Sequence, residues 1–443
     1  MTPNDLFQKI SNQNAVVCVI GLGQVGLPTA LTFSKMGFNV IGYDVNKNLI
    51  TNLNLGKSSF EEKNMACLLL ECIKNKKFYA TDDLSKVMSN SDVLIVCVPT
   101  PLTGSIKPDL SALENVCLRF LDFSISGKLI IIESSIPPGT FSGLVLQILE
   151  KKNKLGIDFW AAFVPERLAP GQALTEIQTT PRIIGCLDED SGHLAEKLYE
   201  KIVQSKIFLT KVQVAEISKL VENTFRDVNI AFANEVSRIC EHYEIDVAEL
   251  ILVCNSHPRV KLLQPGPGVG GPCLPKDPYL LLNPQGQHPI ESKLILESRK
   301  INDNMPYHVV ELVENALKTQ NKNSTEFTIL VLGVTYKADI TDVRLSPAKQ
   351  IISHLITLGY TVLVFDPNTK ETFGGQSVTN ILDAISSSDA LIIVTDHREF
   401  RQLDLQQIKQ NMKKNLIILD TKRIFLKKDV VALGIQYLSV GCI

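Results

Sequence analysis

The sequence carries no surplus of positive charge: 45 Lys and Arg stand against 47 Asp and Glu, a net charge of -2 over 443 residues. A nucleic-acid surface needs a basic field to neutralise backbone phosphates, so no nucleic-acid partner is expected and only small anionic ligands stay open. No apolar run reaches the length that spans a bilayer, so no membrane partner is expected. The run Ala15 to Ile20 stops at Gly21, too short for a signal-peptide core, and the stretch before it is polar. None of the ten cysteines forms a Cys-x-x-Cys pair, and Cys18 and Cys97 sit inside apolar, strand-like runs as small core residues do. No His-Glu-x-x-His and no tight Cys/His cluster occurs among the seven histidines, so no metal site is expected. Cys442 is second from the end, which is not the position of a prenylation box. A reduced, cytoplasmic protein is the expectation.

The length suits two or three domains. Ala15 to Ile20 reads as a strand, Gly21-Leu22-Gly23-Gln24-Val25-Gly26 as a glycine turn, and the periodic Leu27, Ala30, Leu31, Phe33 and Met36 as a helix. A second strand, Asn39 to Tyr43, ends at Asp44, 23 residues after Gly21. That spacing places a carboxylate on the adenosine ribose while the glycines let a pyrophosphate meet the helix N-terminus; an acid there repels a 2′-phosphate, so NAD is expected over NADP. The plainer reading is a structural glycine turn. Strands Asp92 to Val98 and Lys128 to Glu133 end in hydroxyl-rich turns, making Thr100 and Ser135 candidates for ligand contacts or for helix caps. Phe159 to Val164 runs into Pro165-Glu166-Arg167, one more carboxylate at a strand end.

From Gln213 to His242 apolar residues recur at three- and four-residue steps, from Ile217 and Leu220 to Val236 and Ile239, which predicts one long amphipathic helix and a candidate dimer surface. Lys219 and Asn223 share a face of it; by themselves they are an ordinary polar stripe. Further helices are expected over Asp246 to Cys254 and Glu291 to Lys318. Between them lies Gly266-Pro-Gly-Val-Gly-Gly-Pro-Cys-Leu-Pro-Lys-Asp277, with four glycines and three prolines in twelve residues. Such a stretch makes neither helix nor central strand. It is a shaped loop that presents Cys273, followed by Lys276 and Asp277: a nucleophile's setting, or a tight turn beside a core cysteine. Thr319 to Glu326 reads as a linker. Phe327 to Gly333, Thr361 to Asp366, Asp389 to Thr395 and Leu416 to Asp420 then alternate with helices, a second α/β domain. Its first turn, Gly333-Val334-Thr335-Tyr336-Lys337, lacks the three-glycine spacing, so a different ligand, such as a mononucleotide, is expected there. The expected fold class is α/β, two Rossmann-like doubly wound domains joined by a central helical region with one long helix, divided at 1–210, 211–318 and 319–443.

The joint pattern of the glycine turn, Pro99-Thr100-Pro101, Pro165-Glu166, Lys219-x-x-x-Asn223 and the cysteine loop resembles the UDP-glucose/GDP-mannose dehydrogenase family, nearly end to end. The resemblance implies an enzyme that oxidises the C6 alcohol of a nucleotide sugar to the carboxylate with two NAD per sugar. It implies Cys273 as nucleophile through a thiohemiacetal and a thioester, Lys219 and Asn223 at the oxyanion and the water, and Asp277 working with Lys219. Glu166 is implied as general acid/base in thioester hydrolysis, with the proton transfers among Lys219, Asp277 and Glu166 left undivided. NAD contacts are implied at Gly21, Leu22, Gly23, Gln24, Val25, Gly26, Asp44, Thr100, Ser135 and Arg344. Substrate contacts are implied at Glu166, Arg167, Lys219, Asn223, Gly266, Gly268, Gly270, Tyr336, Lys337 and Arg423, with Arg259 reaching in from a second subunit of a homodimer or higher homo-oligomer. Ser135 stands where many relatives have threonine, and Pro170 where some have glutamate. The forms Pro165-Glu166-Arg167-Leu168-Ala169-Pro170-Gly171 and His257-Pro258-Arg259-Val260 look like the N-acetylhexosamine branch. That implies a UDP-N-acetylhexosamine substrate with the manno epimer first, the gluco epimer or UDP-glucose as alternatives, and surface polysaccharide synthesis as the use. A binding regulator without chemistry is the non-enzyme alternative.

Overall fold

The computed structural model describes residues 2–442 apart from 59–61, 63, 169–170 and 321–323. The chain packs into two compact units, Met1–Glu222 with Lys276–Glu291, and Asn223–Pro275 with Ser292–Ile443.

In the first unit the strands are β1 (Val16–Ile20), β2 (Asn39–Tyr43), β3 (Phe78–Thr81), β4 (Val93–Val96), β5 (Leu129–Ile132), β6 (Trp160–Phe163), β7 (Arg182–Cys186) and β8 (Ile207–Lys211). They form one sheet in the order β3-β2-β1-β4-β5-β6-β7-β8, parallel throughout except for β6 against β7. Helices cover both faces, which is why β1, β4 and β5 are unbroken apolar runs. Val17 and Val19 of β1 enter one core while Cys18 and Ile20 enter the other. The expected strands of this half are present, shortened by a residue or two at the ends. Strands β3, β7 and β8 carried no sequence signal. β3 and β8 lie at the two edges of the sheet and end in polar residues, and β8 leaves Phe208 and Leu209 exposed, so neither is the unbroken buried apolar run of a central strand.

The second unit holds β9 (Thr328–Leu332), β10 (Thr361–Phe365), β11 (Gln376–Ser377), β12 (Ala390–Ile393), β13 (Ile417–Asp420) and β14 (Gln436–Leu438). Their order, β11-β10-β9-β12-β13-β14, is all parallel and repeats that of the first six strands. The order reverses between β1 and β4 in one sheet and between β9 and β12 in the other. Ligand crevices of doubly wound sheets open at such points, beyond the carboxyl ends of the strands.

The helix Val212–His242 runs 31 residues, and the boundary between the units falls inside it. Leu220, Ala231, Ala233 and Cys240 are buried, whereas Phe225, Phe232 and Ile239, spaced by seven, are 66%, 52% and 51% exposed. The helix Lys293–Leu317 has Pro306 inside it, and its residues Val309, Val310 and Val313 pack into the core under β9. In the expected linker, short 3-10 turns Lys318–Gln320 and Ser324–Glu326 flank the undescribed 321–323. Among the described residues no helix is long and apolar enough to cross a membrane.

Candidate active site

The first unit carries the glycine turn. Gly21 leaves β1 with φ +91°, and a Cβ there would stand 2.7 Å from the Cys97 carbonyl oxygen. A Cβ on Gly26 would stand 1.8 Å from the Gly21 carbonyl oxygen. Both glycines are therefore demanded by the protein's own packing. Gly23 is different: nothing lies within 4 Å of its Cβ position, so its small size serves no internal contact and leaves room for a ligand's phosphates to approach the backbone. No side chain caps the first turn of the following helix, Gly26–Lys35, and no acid sits in it, the condition an anion needs. The Gly21 N–H donates to the Tyr43 carbonyl at 2.8 Å, and Asp44 accepts from the Leu22 and Asn46 N–H groups at 2.9 Å each. Asp44 is half-buried at the end of β2, with lone pairs left for ribose hydroxyls. The residues present thus fit a dinucleotide.

Beside this turn a polar cluster lies at the ends of β4, β5 and β6, within the same unit. Thr100 donates its hydroxyl to the Ser135 carbonyl at 2.5 Å. The Lys219 ammonium donates to the Ser135 hydroxyl and lies 3.9 Å from Oε2 of Glu166. Lys219 and Glu166 are both buried. Burial pushes the Glu166 carboxyl up to about 7; Lys219 and Arg182 pull it down, and Glu133 and Asp277 push it up further. Glu166 also accepts from the Leu168 N–H. Asp277 is fully buried at the start of the helix Asp277–Leu282, with the Lys276 ammonium 3.5 Å from it and donating to the Thr100 carbonyl at 3.1 Å. The cation noted beside Cys273 in the sequence thus reaches Asp277 and Thr100. Arg167 forms a two-pronged pair with Glu222, at 2.9 and 2.6 Å, and donates to the Pro181 carbonyl. Residues 169–170, which include Pro170, lie outside the described residues.

Two supporting acids were not legible in the sequence. Glu216, on the long helix, accepts from the Gly139 and Phe141 N–H groups at 2.8 Å each and so fixes the turn that follows Ser135. Glu133, buried under that turn, accepts from the Tyr199 hydroxyl at 2.6 Å and the Cys97 thiol at 3.2 Å. Neither has a local motif, because each partner is distant along the chain.

The second unit carries the cysteine loop. Cys273 is half-buried. Two of the loop's glycines are required by Tyr336 and its surroundings: a Cβ on Gly271, whose φ is +90°, would lie 2.7 Å from the ring, and one on Gly270 would lie 2.7 Å from the Leu345 carbonyl oxygen and 2.8 Å from the Tyr336 Cβ. The Gly271 N–H donates to the Arg344 carbonyl at 3.0 Å. Gly266 donates to Asn234, and Gly268 takes φ +128°. Burial raises the Tyr336 hydroxyl above its ordinary range, with Asp342 and Cys273 adding to it. The Arg344 guanidinium is paired with Asp342 at 2.6 Å. Asn223 is half-buried on the long helix, one turn after Lys219, while Lys337 and Arg259 are exposed.

At the end of β9 the first turn of the second sheet repeats part of the first. Gly333 donates to the Phe365 carbonyl at 2.9 Å, and Asp366 accepts from the Val334 N–H at 2.7 Å, the counterparts of Gly21 and Asp44. Here, however, the Asp366 carboxylate has no exposure and is bonded at 3.1 Å by Nε2 of His397, whose Nδ1 accepts from the Asp339 N–H. The ribose-type acid is closed off, consistent with a ligand unlike that of the first sheet. Arg423, with φ +53°, is paired with Asp246 at 2.7 Å and donates to the Val440 carbonyl. Its neighbour Lys422 stands with its ammonium 3.7 Å from the Cβ position of Gly266, and desolvation pulls it below its ordinary value against Asp396 and Asp420. Lys422 is the cation that sequence reading passed over. The two basic residues are adjacent, and nothing local says which one a carboxylate has already taken.

Three family models match in chain order: the UDP-glucose/GDP-mannose dehydrogenase family NAD binding domain over residues 15–203, its central domain over 213–304 and its UDP binding domain over 330–427. The chain is 40% identical over 427 residues to the UDP-N-acetyl-D-mannosamine dehydrogenase of Pyrococcus horikoshii, covering 96% of this chain and 99% of that one. The solved structure of the UDP-D-ManNAc dehydrogenase from that organism superposes with a TM-score of 0.89 at 38% identity, over 96% and 99% of the two chains. The UDP-N-acetyl-mannosamine dehydrogenase of Staphylococcus aureus superposes at 0.84 with 34% identity, over 96% and 98%. The NDP-N-acetyl-D-galactosaminuronic acid dehydrogenase of Ralstonia nicotianae is 34% identical over 429 residues, 94% and 97% of the two chains. With a turn shaped for NAD in one sheet, a different strand-end site in the other, and relatives matched over almost their whole length, this chain belongs to the UDP-glucose/GDP-mannose dehydrogenase family.

Proposed function

We propose that the protein is a UDP-N-acetyl-D-mannosamine 6-dehydrogenase, which takes the C6 alcohol to the carboxylate in two NAD-dependent steps. The observation that carries this reading is the buried cluster of Lys219, Ser135 and Glu166 beside the dinucleotide turn, a cation and a tunable carboxyl where charge would develop during alcohol oxidation. The relatives' names supply the sugar. The division of the chain at 210/211 and 318/319 into NAD, central and sugar-nucleotide segments belongs to the same proposal.

NAD, when bound, would accept one hydride in each oxidation, a second NAD replacing the NADH formed in the first. The protein's residues manage the rest. In the first oxidation the C6 hydroxyl gives up its proton to the carboxylate of Asp277, with the Lys219 ammonium stabilising the oxygen as the hydride leaves, and an aldehyde forms. The Cys273 thiolate adds to that aldehyde, making the C–S bond of a thiohemiacetal whose oxyanion is stabilised by Lys219 and Asn223. Loss of the second hydride leaves a thioester. Glu166 then takes a proton from water as its oxygen attacks, the C–S bond breaks, and the acid departs with the thiol restored. Tyr336, Lys337 and the cations Lys422 and Arg423 are proposed to receive the nucleotide diphosphate in the last segment.

A second copy of the chain is the proposed partner, seated on the exposed Phe225, Phe232 and Ile239 face and bringing its Arg259 to the substrate. Ten cysteines outside any disulfide fit residence in the cytoplasm.

The test is the NADH released per molecule of limiting UDP-N-acetyl-D-mannosamine, with UDP-N-acetyl-D-glucosamine and UDP-glucose in parallel. Two NADH from the manno epimer is the expected result. Two from another sugar alone would replace the substrate, and one from all of them would remove the four-electron mechanism.

A further inference from the structure

The loop that carries Cys273 is held at its start by a chain of buried hydrogen bonds that the chemistry above does not use. All its members belong to the second unit. Gly266 donates its N–H to Oδ1 of Asn234 at 2.9 Å, and the Asn234 amide donates to Oδ1 of Asn302 at 2.9 Å. The Asn302 amide in turn donates to Asp227, to its Oδ1 at 2.9 Å and to its carbonyl at 3.0 Å. Arg299 completes the chain, donating to the same Asp227 oxygen at 2.5 Å and reaching Asp303. Asn234, Asn302, Asp227 and Arg299 are all within 2% of full burial.

Each bond fixes the next. With its oxygen taken by the Gly266 N–H, Asn234 must turn its NH2 to an oxygen, and Asn302 must then turn its own NH2 to the carboxylate. Donation runs in one direction from the loop to an anion, and bonds in such a series polarise one another. Pro306 adds an independent constraint. It has no N–H to give the Asn302 carbonyl, its helical acceptor four residues back. That carbonyl lies 3.2 Å from the Cβ position of Gly268, as does Cδ of Pro306. Asn302 thus bears on the loop twice, by its side chain through Asn234 at Gly266 and by its main chain at Gly268. The far anchor is the Gly271 N–H on the Arg344 carbonyl, two residues before Cys273.

We propose that Asn234 and Asn302 are positioning residues for Cys273, setting the start of the glycine loop so that the reach of the thiol is fixed before the sugar arrives. This rests on the reading of Cys273 as nucleophile. It predicts an effect confined to half of the reaction, because the first hydride transfer makes no use of the thiol and the second requires it. A misplacement of the thiol of about 1 Å is worth on the order of 100-fold in rate.

The experiment is single-turnover NADH formation by full-length enzyme with UDP-N-acetyl-D-mannosamine and NAD, semicarbazide being added to trap aldehyde, for Asn302→Ala, Asn234→Ser and Cys273→Ser. Asn302→Ala is expected to keep the first transfer within a few-fold of the parent and to slow the second on the order of 100-fold, with trapped aldehyde accumulating. Asn234→Ser, whose short hydroxyl no longer reaches both partners, reads the same split if the first variant fails to fold. Both transfers falling together, or neither changing, would overturn the proposal. Cys273→Ser separates the two readings: if it retains the second transfer the covalent mechanism fails, whereas if it loses that transfer while the asparagine variants keep it, only the positioning role fails.

Discussion

Glu166 sits at the end of β6 with its carboxyl pushed up to about 7 by burial. A general base for thioester hydrolysis must be ionised, and below its pKa the ionised fraction falls tenfold per pH unit. Acid release is therefore expected to show an acidic limb with its midpoint near pH 7, read from kcat over pH 5 to 9. Glu166→Gln should remove that limb and lower the plateau by roughly 100-fold or more; an unchanged limb would take the base role away from this residue. The same shift has a stability sign. Its folded pKa is raised above the ordinary 4.5, so the contribution of the protonated form is complete below about pH 4.5 and is lost as pH rises through about 7. Glu166→Gln should flatten the stability profile across that window.

At the scale of elements, the glycine turn contains two kinds of glycine. At Gly26 a methyl would meet the Gly21 carbonyl at 1.8 Å, a backbone atom with no freedom to move. Gly26→Ala is expected to cost on the order of 1–3 kcal/mol of stability, visible as a lowered unfolding midpoint. At Gly23 a methyl meets nothing of the protein, so Gly23→Ala should leave the unfolding midpoint nearly unchanged and weaken NAD binding by roughly tenfold, measured by titration of tryptophan or NADH fluorescence. A fall in stability without a loss of NAD affinity would reverse that assignment. The second sheet shows why strand order alone does not predict a ligand. Its Asp366 repeats the bond of Asp44 to the turn, yet His397 closes it, and this difference separates two turns built on the same scaffold.

At the scale of the whole molecule, Phe225, Phe232 and Ile239 form an exposed seven-residue spacing on the long helix, the pattern of a face awaiting a partner helix. Phe225→Asp with Phe232→Asp is expected to convert a dimer to a folded monomer with reduced activity, followed by light scattering and turnover on one sample. A parent protein that is already monomeric at full activity would remove both the interface and the role of Arg259. The pairing of sheets, the long helix and the glycine turn were legible from residues alone because they are written in local spacing: apolar runs buried on both faces, a 3.6-residue period, an acid at a set distance from a glycine. The edge strands β3 and β8, which end in polar residues, left no such mark. The same limit holds at the site. The glycine turn could be singled out from its own motif, whereas Cys273 and Lys219 stood out only through the joint pattern that resembles a known family. That Lys276 reaches the Thr100 carbonyl, that Arg423 is paired with Asp246 while Lys422 stands toward the glycine loop, and that Asn302 and Asn234 bond toward the start of that loop were decided only by tertiary structure. Each depends on a partner far along the chain, and a charged or amide side chain does not reveal its partner until folding has removed the water that would otherwise satisfy it.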